Sequence, residues 1–239
     1  MRITFLGSSH GVPEANQRCT SMMLEVGGNV YFVDMGVMVI EDLVTRGISV
    51  DSVKGVFITH MHGDHSNGLV SFVDLCSWYF KSADPVICVP KIAAKEAIEG
   101  WLSVNTTKPR ELQYREVQEG VIFDDGVIKV TAIRTKHCDV SYSYIIEAEG
   151  KTVLFTGDLN KDPETDFPQI ASSLQLDLLV GEAAHFDVER YEPLFKECDI
   201  KQVVIGHTAP WNVPHIRNLI KKMPDLPIKM ATDGLEISL

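Results

Sequence analysis

The segment Val56-Phe57-Ile58-Thr59-His60-Met61-His62-Gly63-Asp64-His65 constrains this chain more than any other stretch. An apolar run that reads as a buried strand passes without a break into three imidazoles and a carboxylate. Imidazole and carboxylate together are the donor types that a borderline cation such as zinc prefers. His60 and His62 are two apart at a strand end, so they can project to one side and grip one ion. Asp64 and His65, turned by Gly63, can serve a second ion a few ångström away. A polar loop that contains histidines by chance is the competing explanation, and this density directly behind an apolar strand disfavours it.

Other strand ends carry ligand types too. Asp158 closes Thr152-Val153-Leu154-Phe155-Thr156-Gly157-Asp158, His207 closes Gln202-Val203-Val204-Ile205-Gly206-His207, and His137 follows Val130-Thr131-Ala132-Ile133-Arg134. Each alone reads equally well as a capping or surface residue. Their shared placement points to one site, because strand ends along one sheet edge converge. Asp34, at the end of Tyr31-Phe32-Val33-Asp34, fits a group that accepts the N–H of a metal-bound imidazole. Its other reading is a plain turn residue.

The rest of the string sets the frame. Strands are predicted at 2–6, 20–26, 30–34, 53–59, 85–89, 127–134, 142–147, 151–155, 176–180, 201–205 and 235–238, with helices at 66–80, 91–102, 189–197 and 214–223. Gly27-Gly28-Asn29 between two strands marks a hairpin turn. No linker divides the chain, so residues 1–239 are read as one domain, although two similar β-rich halves packed together fit the same string. With 22 Lys+Arg against 33 Asp+Glu, the net charge of −11 disfavours long nucleic acid, which needs clustered cations. No apolar run reaches the length of a membrane span. The five cysteines are scattered without a CxxC pair and the first residues read as a strand rather than a leader, which predicts a reducing, cytoplasmic setting.

In this order, Asp34, the HxHxDH at 60–65, His137, Asp158 and His207 resemble the metallo-β-lactamase-fold hydrolases over essentially the whole chain. The resemblance implies an α/β fold, an αβ/βα four-layer sandwich of two mixed sheets with helices outside and metals at one edge. It also implies two divalent metal ions: zinc first, manganese or iron as alternatives. His60, His62 and His137 would take the first metal, Asp64, His65 and His207 the second, and Asp158 would bridge both. Within that superfamily the chain is similar to the phosphodiesterase branch that includes tRNase Z and the cyclic-phosphate diesterases. The similarity lies in Ser141-Tyr142-Ser143-Tyr144 after His137, in Gly181-Glu182-Ala183-Ala184-His185 against that branch's His-Glu-Ala-Thr stretch, and in the opening Leu6-Gly7-Ser8-Ser9-His10-Gly11 and closing Thr232-Asp233-Gly234. Two departures stand out. The stretch between Asp158 and Glu182 is too short for the tRNA-holding arm, and Thr232 occupies the place of a late histidine that partners the Glu.

The function implied is a dinuclear metal-dependent phosphodiesterase for a small phosphodiester or cyclic phosphate. A bridging hydroxide would attack phosphorus, since two ions lower the pKa of a shared water to about 7. The alternatives are an acyl hydrolase (lactonase or thioesterase) and a tRNase Z-like endonuclease. Asp64 would orient the nucleophile, and Glu182 or His185 would protonate the leaving group. The expected partner is a small anionic ester, with neither nucleic acid nor membrane, and a homodimer is left open. His10 reads equally as a site or loop residue, His215 as a solvated helix start and Cys138 as a small core residue. Residues 8–19 and 100–120 are expected to rim the pocket.

Overall fold

In the computed structural model, which describes residues 1–239, the chain lays down two runs of strands that follow the same plan. The first run holds β1 (Arg2–Gly7), β2 (Ser21–Val26), β3 (Asn29–Met35), α1 (Val39–Thr45), β4 (Val53–Phe57), α2 (Gly63–Trp78), β5 (Val86–Val89), α3 (Ala93–Val104) and β6 (Gln113–Glu116). The second begins with β7 (Gly120–Asp124), β8 (Lys129–Thr135), β9 (Ser141–Ala148), β10 (Lys151–Phe155), β11 (Gln175–Leu176), β12 (Leu178–Ala183) and α4 (Tyr191–Lys196). It ends with β13 (Asp199–Ile200), β14 (Val203–Thr208), α5 (Val213–Lys222), β15 (Ile228–Met230) and β16 (Glu236–Ser238).

Two seven-stranded mixed sheets result, in the orders β16-β1-β2-β3-β4-β5-β6 and β15-β14-β12-β10-β9-β8-β7, with β11 and β13 as a small separate pair. Each sheet starts antiparallel and turns parallel, at β3 beside β4 in one and at β10 beside β12 in the other. The parallel halves need crossovers, and α2, α3, α4 and α5 lie in those crossovers. The two runs interlock, because β16 at the end of the second pairs with β1 of the first, Arg2 opposite Ser238.

Three buried apolar clusters make the layers. The central one joins Phe5, Tyr31 and Phe57 of the first sheet to Val130, Tyr144 and Phe155 of the second. The Phe57 ring meets the edges of Phe123 and Tyr144 across the gap. A second cluster sets Phe32, Val56 and Ile87 against Leu43, Leu69 and Leu102 of α1, α2 and α3, and a third sets Leu179 and Ile205 against Phe195, Ile216 and Leu219 of α4 and α5. This is the αβ/βα four-layer sandwich. Fully burying each such side chain contributes roughly 1.5–3 kcal/mol. No helix is long and apolar enough to cross a membrane.

The Gly27-Gly28 turn forms as expected, with φ of 57° and 84° and Val26 opposite Asn29. Other elements depart from the sequence reading. Helix α1 gave no signal because it is only seven residues long and Met38 stands at its N-cap without a side-chain hydrogen bond. Strands β6 and β7 are mostly exposed edge strands, and Gln-Tyr-Arg-Glu shows no apolar alternation. The expected rim at 100–120 is corrected: this stretch is the end of α3, a connection and β6. Its Thr107 and Arg110 bind Asp74 and Ser77 on the distal half of α2. Helix α2 starts at Gly63, earlier than expected, so Asp64 and His65 lie in its first turn, where a carboxylate is favoured by the helix dipole.

That start is held by close backbone packing. A Cβ on Gly68 of α2 would stand 1.8 Å from the Val37 carbonyl oxygen. Gly68→Ala is therefore expected to destabilise the fold by about 1–3 kcal/mol or more, seen as a lower denaturant midpoint at unchanged slope. Gly100→Ala in α3, where nothing lies within 4 Å, is expected to stabilise by roughly 0.5–1 kcal/mol.

Candidate metal centre

The C-terminal ends of β3, β4, β8, β10, β12 and β14 meet at one edge of the sandwich. They deliver Asp34, His60 with His62, His137, Asp158, His185 and His207, and the first turn of α2 adds Asp64 and His65. Asp158 sits in the middle, its side chain only 3% exposed. Its Oδ2 lies 3.2 Å from His207 Nε2, 3.4 Å from His65 Nε2, 3.6 Å from His60 Nε2 and 3.7 Å from His137 Nε2.

Around it the donors fall into overlapping groups whose ligand atoms lie within 4.8 Å of one another: His60, His62 and His137; Asp64, His65 and His207; His60, His65 and Asp158; and His137, Asp158 and His185. His60 Nε2 is 2.9 Å from His62 Nδ1, which is 3.2 Å from His137 Nε2.

The hydrogen-bond network assigns the tautomers. His65 Nδ1 donates to Asp34 Oδ2 at 2.7 Å. His60 Nδ1 donates to Thr59 Oγ1, whose own hydroxyl donates to Asp34, and His207 Nδ1 donates to Thr20 Oγ1, which donates to the Ser9 carbonyl. His137 Nδ1 faces the Leu159 carbonyl at 3.4 Å. In each case the far nitrogen keeps a lone pair and faces the centre. His65 Nε2 is buried there with no hydrogen-bond partner.

These residues fit divalent ions. Nitrogens that face one another at hydrogen-bond distance with hardly a proton between them, and an orphaned buried nitrogen among them, are costly unless something positive sits between. Donors about 2.0–2.1 Å from an ion in a tetrahedron stand about 3.3 Å from each other, the spacing seen here. The electrostatics agree. Burial, helped by the neighbouring His65, pushes the His60 imidazole down to about 2, so it is a neutral ligand. Burial would raise Asp158, but His207 and His65 outweigh it and hold the carboxylate well below its ordinary range.

Two backbone features permit the approach. Asp34 and His207 adopt left-handed φ of 58° and 44°, local strain of the kind that collects at functional sites. Gly157 also has positive φ, and a Cβ there would stand 2.8 Å from the Tyr142 carbonyl oxygen.

The remaining candidates sort themselves. Glu182 is 2% exposed and accepts the Leu159 N–H at Oε1, the Ala184 and His185 N–H groups at Oε2, and His185 Nδ1 at 2.9 Å. Burial works against a charged His185, but this bond to Glu182 prevails and raises its pKa. The partner of Glu182 is thus His185, three residues on, and Thr232 is exposed. Gly11 does reach the site, since a Cβ on it would stand 3.7 Å from Asp64 Oδ2. His10 instead pairs with Glu14 and packs on Trp211. His215 joins Asp187 and Glu189 in a cluster whose Glu189 is already paired with Lys222, and Cys138 Sγ turns to the Val140 carbonyl. The sequence reading passed over Trp211, whose only cue is its position four residues after His207.

The family model described as the anti-Pycsar protein Apyc1 matches residues 1–180. The chain belongs to that family. This Apyc1-family chain is also 35% identical over 150 residues to ribonuclease Z of Geobacillus kaustophilus, covering 60% of the chain and 48% of the relative. Ribonuclease Z of Listeria innocua is 30% identical over 167 residues, covering 68% and 54%. The chain spans about half the length of these curated relatives. Among solved structures, the metallo-β-lactamase-fold protein YhfI of Bacillus subtilis superposes with a TM-score of 0.80 at 18% identity, covering 99% of this chain and 98% of that one. Human short-form tRNase Z superposes with 0.77 at 19%, covering 100% and 99%. The fold is the metallo-β-lactamase fold.

The Asp34 bond to His65 has a measurable consequence. Asp34→Ala is expected to weaken metal affinity by about 10–100-fold, read by competition with a chromogenic chelator, while the far-UV circular dichroism stays native.

Proposed function

We propose that this chain is a dinuclear metal-dependent phosphodiesterase acting on a small phosphodiester or cyclic phosphate. The observation that carries the reading is the convergence of six donors around Asp158, with His60, His62 and His137 on one side and Asp64, His65 and His207 on the other. In this reading those two groups would hold the two ions, zinc in preference to manganese or iron, with Asp158 as the carboxylate shared between the groups. Bound divalent ions would supply Lewis acidity, neutralising phosphoryl charge and bringing the pKa of water towards about 7.

The chain's own residues supply the rest. Asp64 is the most accessible member of its group, with its side chain 12% exposed, so it can orient an attacking water as well as bind. His185 is held by Glu182 through Nδ1, and its Nε2 faces the centre 3.8 Å from Asp158 Oδ2. Its side chain is 32% exposed, so it can reach a leaving oxygen and give it a proton. Glu182 cannot be that donor, because donors occupy both of its oxygens. It positions His185 instead.

Substrate size follows from the surroundings. Between Asp158 and β12 the chain makes only two short 3-10 turns, at Pro163–Thr165 and Gln169–Ser173, and Asp166 pins this stretch to the Lys136 and Asn160 N–H groups. No arm projects to hold a folded RNA, and the net charge is −11. The identity to ribonuclease Z supports a second reading, an RNA endonuclease, and the donor set also suits an acyl hydrolase.

Parallel assays of bis(p-nitrophenyl) phosphate, nucleoside cyclic phosphates, a precursor tRNA, a lactone and a thioester separate the three. Turnover of the small diesters alone is the expected result, and preference for the tRNA or the acyl substrates overturns it. Asp64→Ala should lose metal, measured by elemental analysis, together with diester hydrolysis. His185→Ala should lower kcat by about 10²–10⁴-fold for an alkoxide leaving group but far less for p-nitrophenolate, which leaves without a proton. Equal losses for both leaving groups would exclude the proton-donor role.

A further inference from the structure

Strand β12 outruns its neighbour β10, whose last paired residue is Phe155 opposite Val180. A buried backbone N–H beyond that point needs another acceptor. For Glu182 it is the phenol oxygen of Tyr191, at 3.2 Å. Tyr191 opens α4 and is fully buried. Its ring stacks on Phe195 at 4.7 Å and meets Phe186 edge-on at 5.1 Å. Gly181 leaves room for the hydroxyl, since a Cβ there would stand 3.2 Å from it.

This one side chain ties two parts of the site together. The Thr156 side chain also bonds to the phenol, and the Thr156 hydroxyl donates to the Gly157 carbonyl at 2.7 Å, one residue before Asp158. With its only proton so used, Thr156 Oγ1 accepts from the phenol. Tyr191 therefore joins the end of β10, with Asp158, to the end of β12, with Glu182 and the His185 loop. Asn212 fixes the rest of that loop, its buried amide donating to the Ala183 and Phe186 carbonyls at 3.0 and 2.9 Å. Burial, with Glu182 nearby, holds the phenol well above its ordinary range, so it keeps its proton. Being buried, it can act on a substrate only through its neighbours.

We propose that Tyr191 is a positioning residue for His185, setting where the imidazole stands relative to Asp158, 3.8 Å from Nε2 to Oδ2. The assignment rests on the diesterase reading, in which His185 protonates the leaving oxygen. Such a transfer is sensitive to placement, and an error of about 1 Å can cost on the order of 10²-fold. Without the hydroxyl, Glu182 is released at its own N–H, and Glu182 is the group that grips His185 Nδ1.

The test uses the metal-loaded protein with Tyr191→Phe, which keeps the ring, Gly181→Ala, which crowds the hydroxyl, and Ile216→Val, a control in the same apolar layer. For adenosine 3′,5′-cyclic phosphate, which leaves as an alkoxide, kcat should fall about tenfold or more in Tyr191→Phe and Gly181→Ala at unchanged KM. For bis(p-nitrophenyl) phosphate, kcat should hold in both. In a His185→Ala background, Tyr191→Phe should cost nothing further, because residues that act as a unit are not additive. Equal losses for the two substrates, a loss that Ile216→Val matches, a loss that persists in full without His185, or no loss overturns the assignment. Hydrogen exchange by mass spectrometry reads the same contact without turnover. Peptides spanning 182–186 should exchange faster in Tyr191→Phe than in the wild type or Ile216→Val, and unchanged exchange there overturns the proposal. If neither ester is hydrolysed the diesterase reading fails, and the exchange result still decides whether Tyr191 holds the His185 loop.

Discussion

A buried carboxylate ringed by imidazoles is the constraint on which the rest of this structure depends. Asp158 is 3% exposed and has four imidazole nitrogens within 3.7 Å of one oxygen. Burying that charge costs several kcal/mol unless it is compensated, and so many lone pairs facing inward cannot compensate one another. The edge of the sandwich is arranged so that positive charge has one place to sit. The same crowding that would destabilise an empty polar cluster is what gives a divalent ion its affinity.

The sandwich makes that arrangement rigid. Each sheet turns parallel toward its middle, so several strands end on the same edge, and the donors at those ends come from both sheets. The imidazoles are then braced from behind by Asp34, Thr59, Thr20 and the Leu159 carbonyl. Removing Cβ atoms at Gly36 and Gly68 lets the backbone after β3 lie against α2, whose first turn carries Asp64 and His65. Packing, tautomer and donor direction are therefore one problem with one solution, which ties the stability of the fold to the site it carries.

Chemistry and access are set by different parts. The donor set is generic to hydrolysis of phosphoryl and acyl groups, since a Lewis-acidic centre does not by itself choose phosphorus or carbon. In the proposed reading selectivity would come from the surroundings, the Glu182–His185 pair and the short turns after Asp158. The chain belongs to the Apyc1 family and is about a third identical to ribonuclease Z of Geobacillus kaustophilus over a stretch of 150 residues.

Much of this was legible in the linear string. The alternation of short apolar runs with polar ends marked the strands, the Gly-Gly-Asn turn marked the β2–β3 hairpin, and the order Asp34, His60-x-His62-x-Asp64-His65, His137, Asp158, His207 marked the candidate ligands. Local rules suffice for these, because strand periodicity, turn conformation and donor type are properties of neighbouring residues. They fail for α1, too short and uncapped to announce itself, and for the polar edges β6 and β7, which are strands only because a sheet lies beside them. They fail again where a role depends on residues far apart in the chain. Glu182 and His185 are alike as proton donors on paper, and only the N–H groups of Leu159, Ala184 and His185 closing around one of them separate acceptor from donor. Trp211 reads as any surface tryptophan, and only the fold sets it against His10, some two hundred positions away. The types of atom in this centre are written in the sequence; which of them face inward, and what stands beside them, is settled by long-range packing.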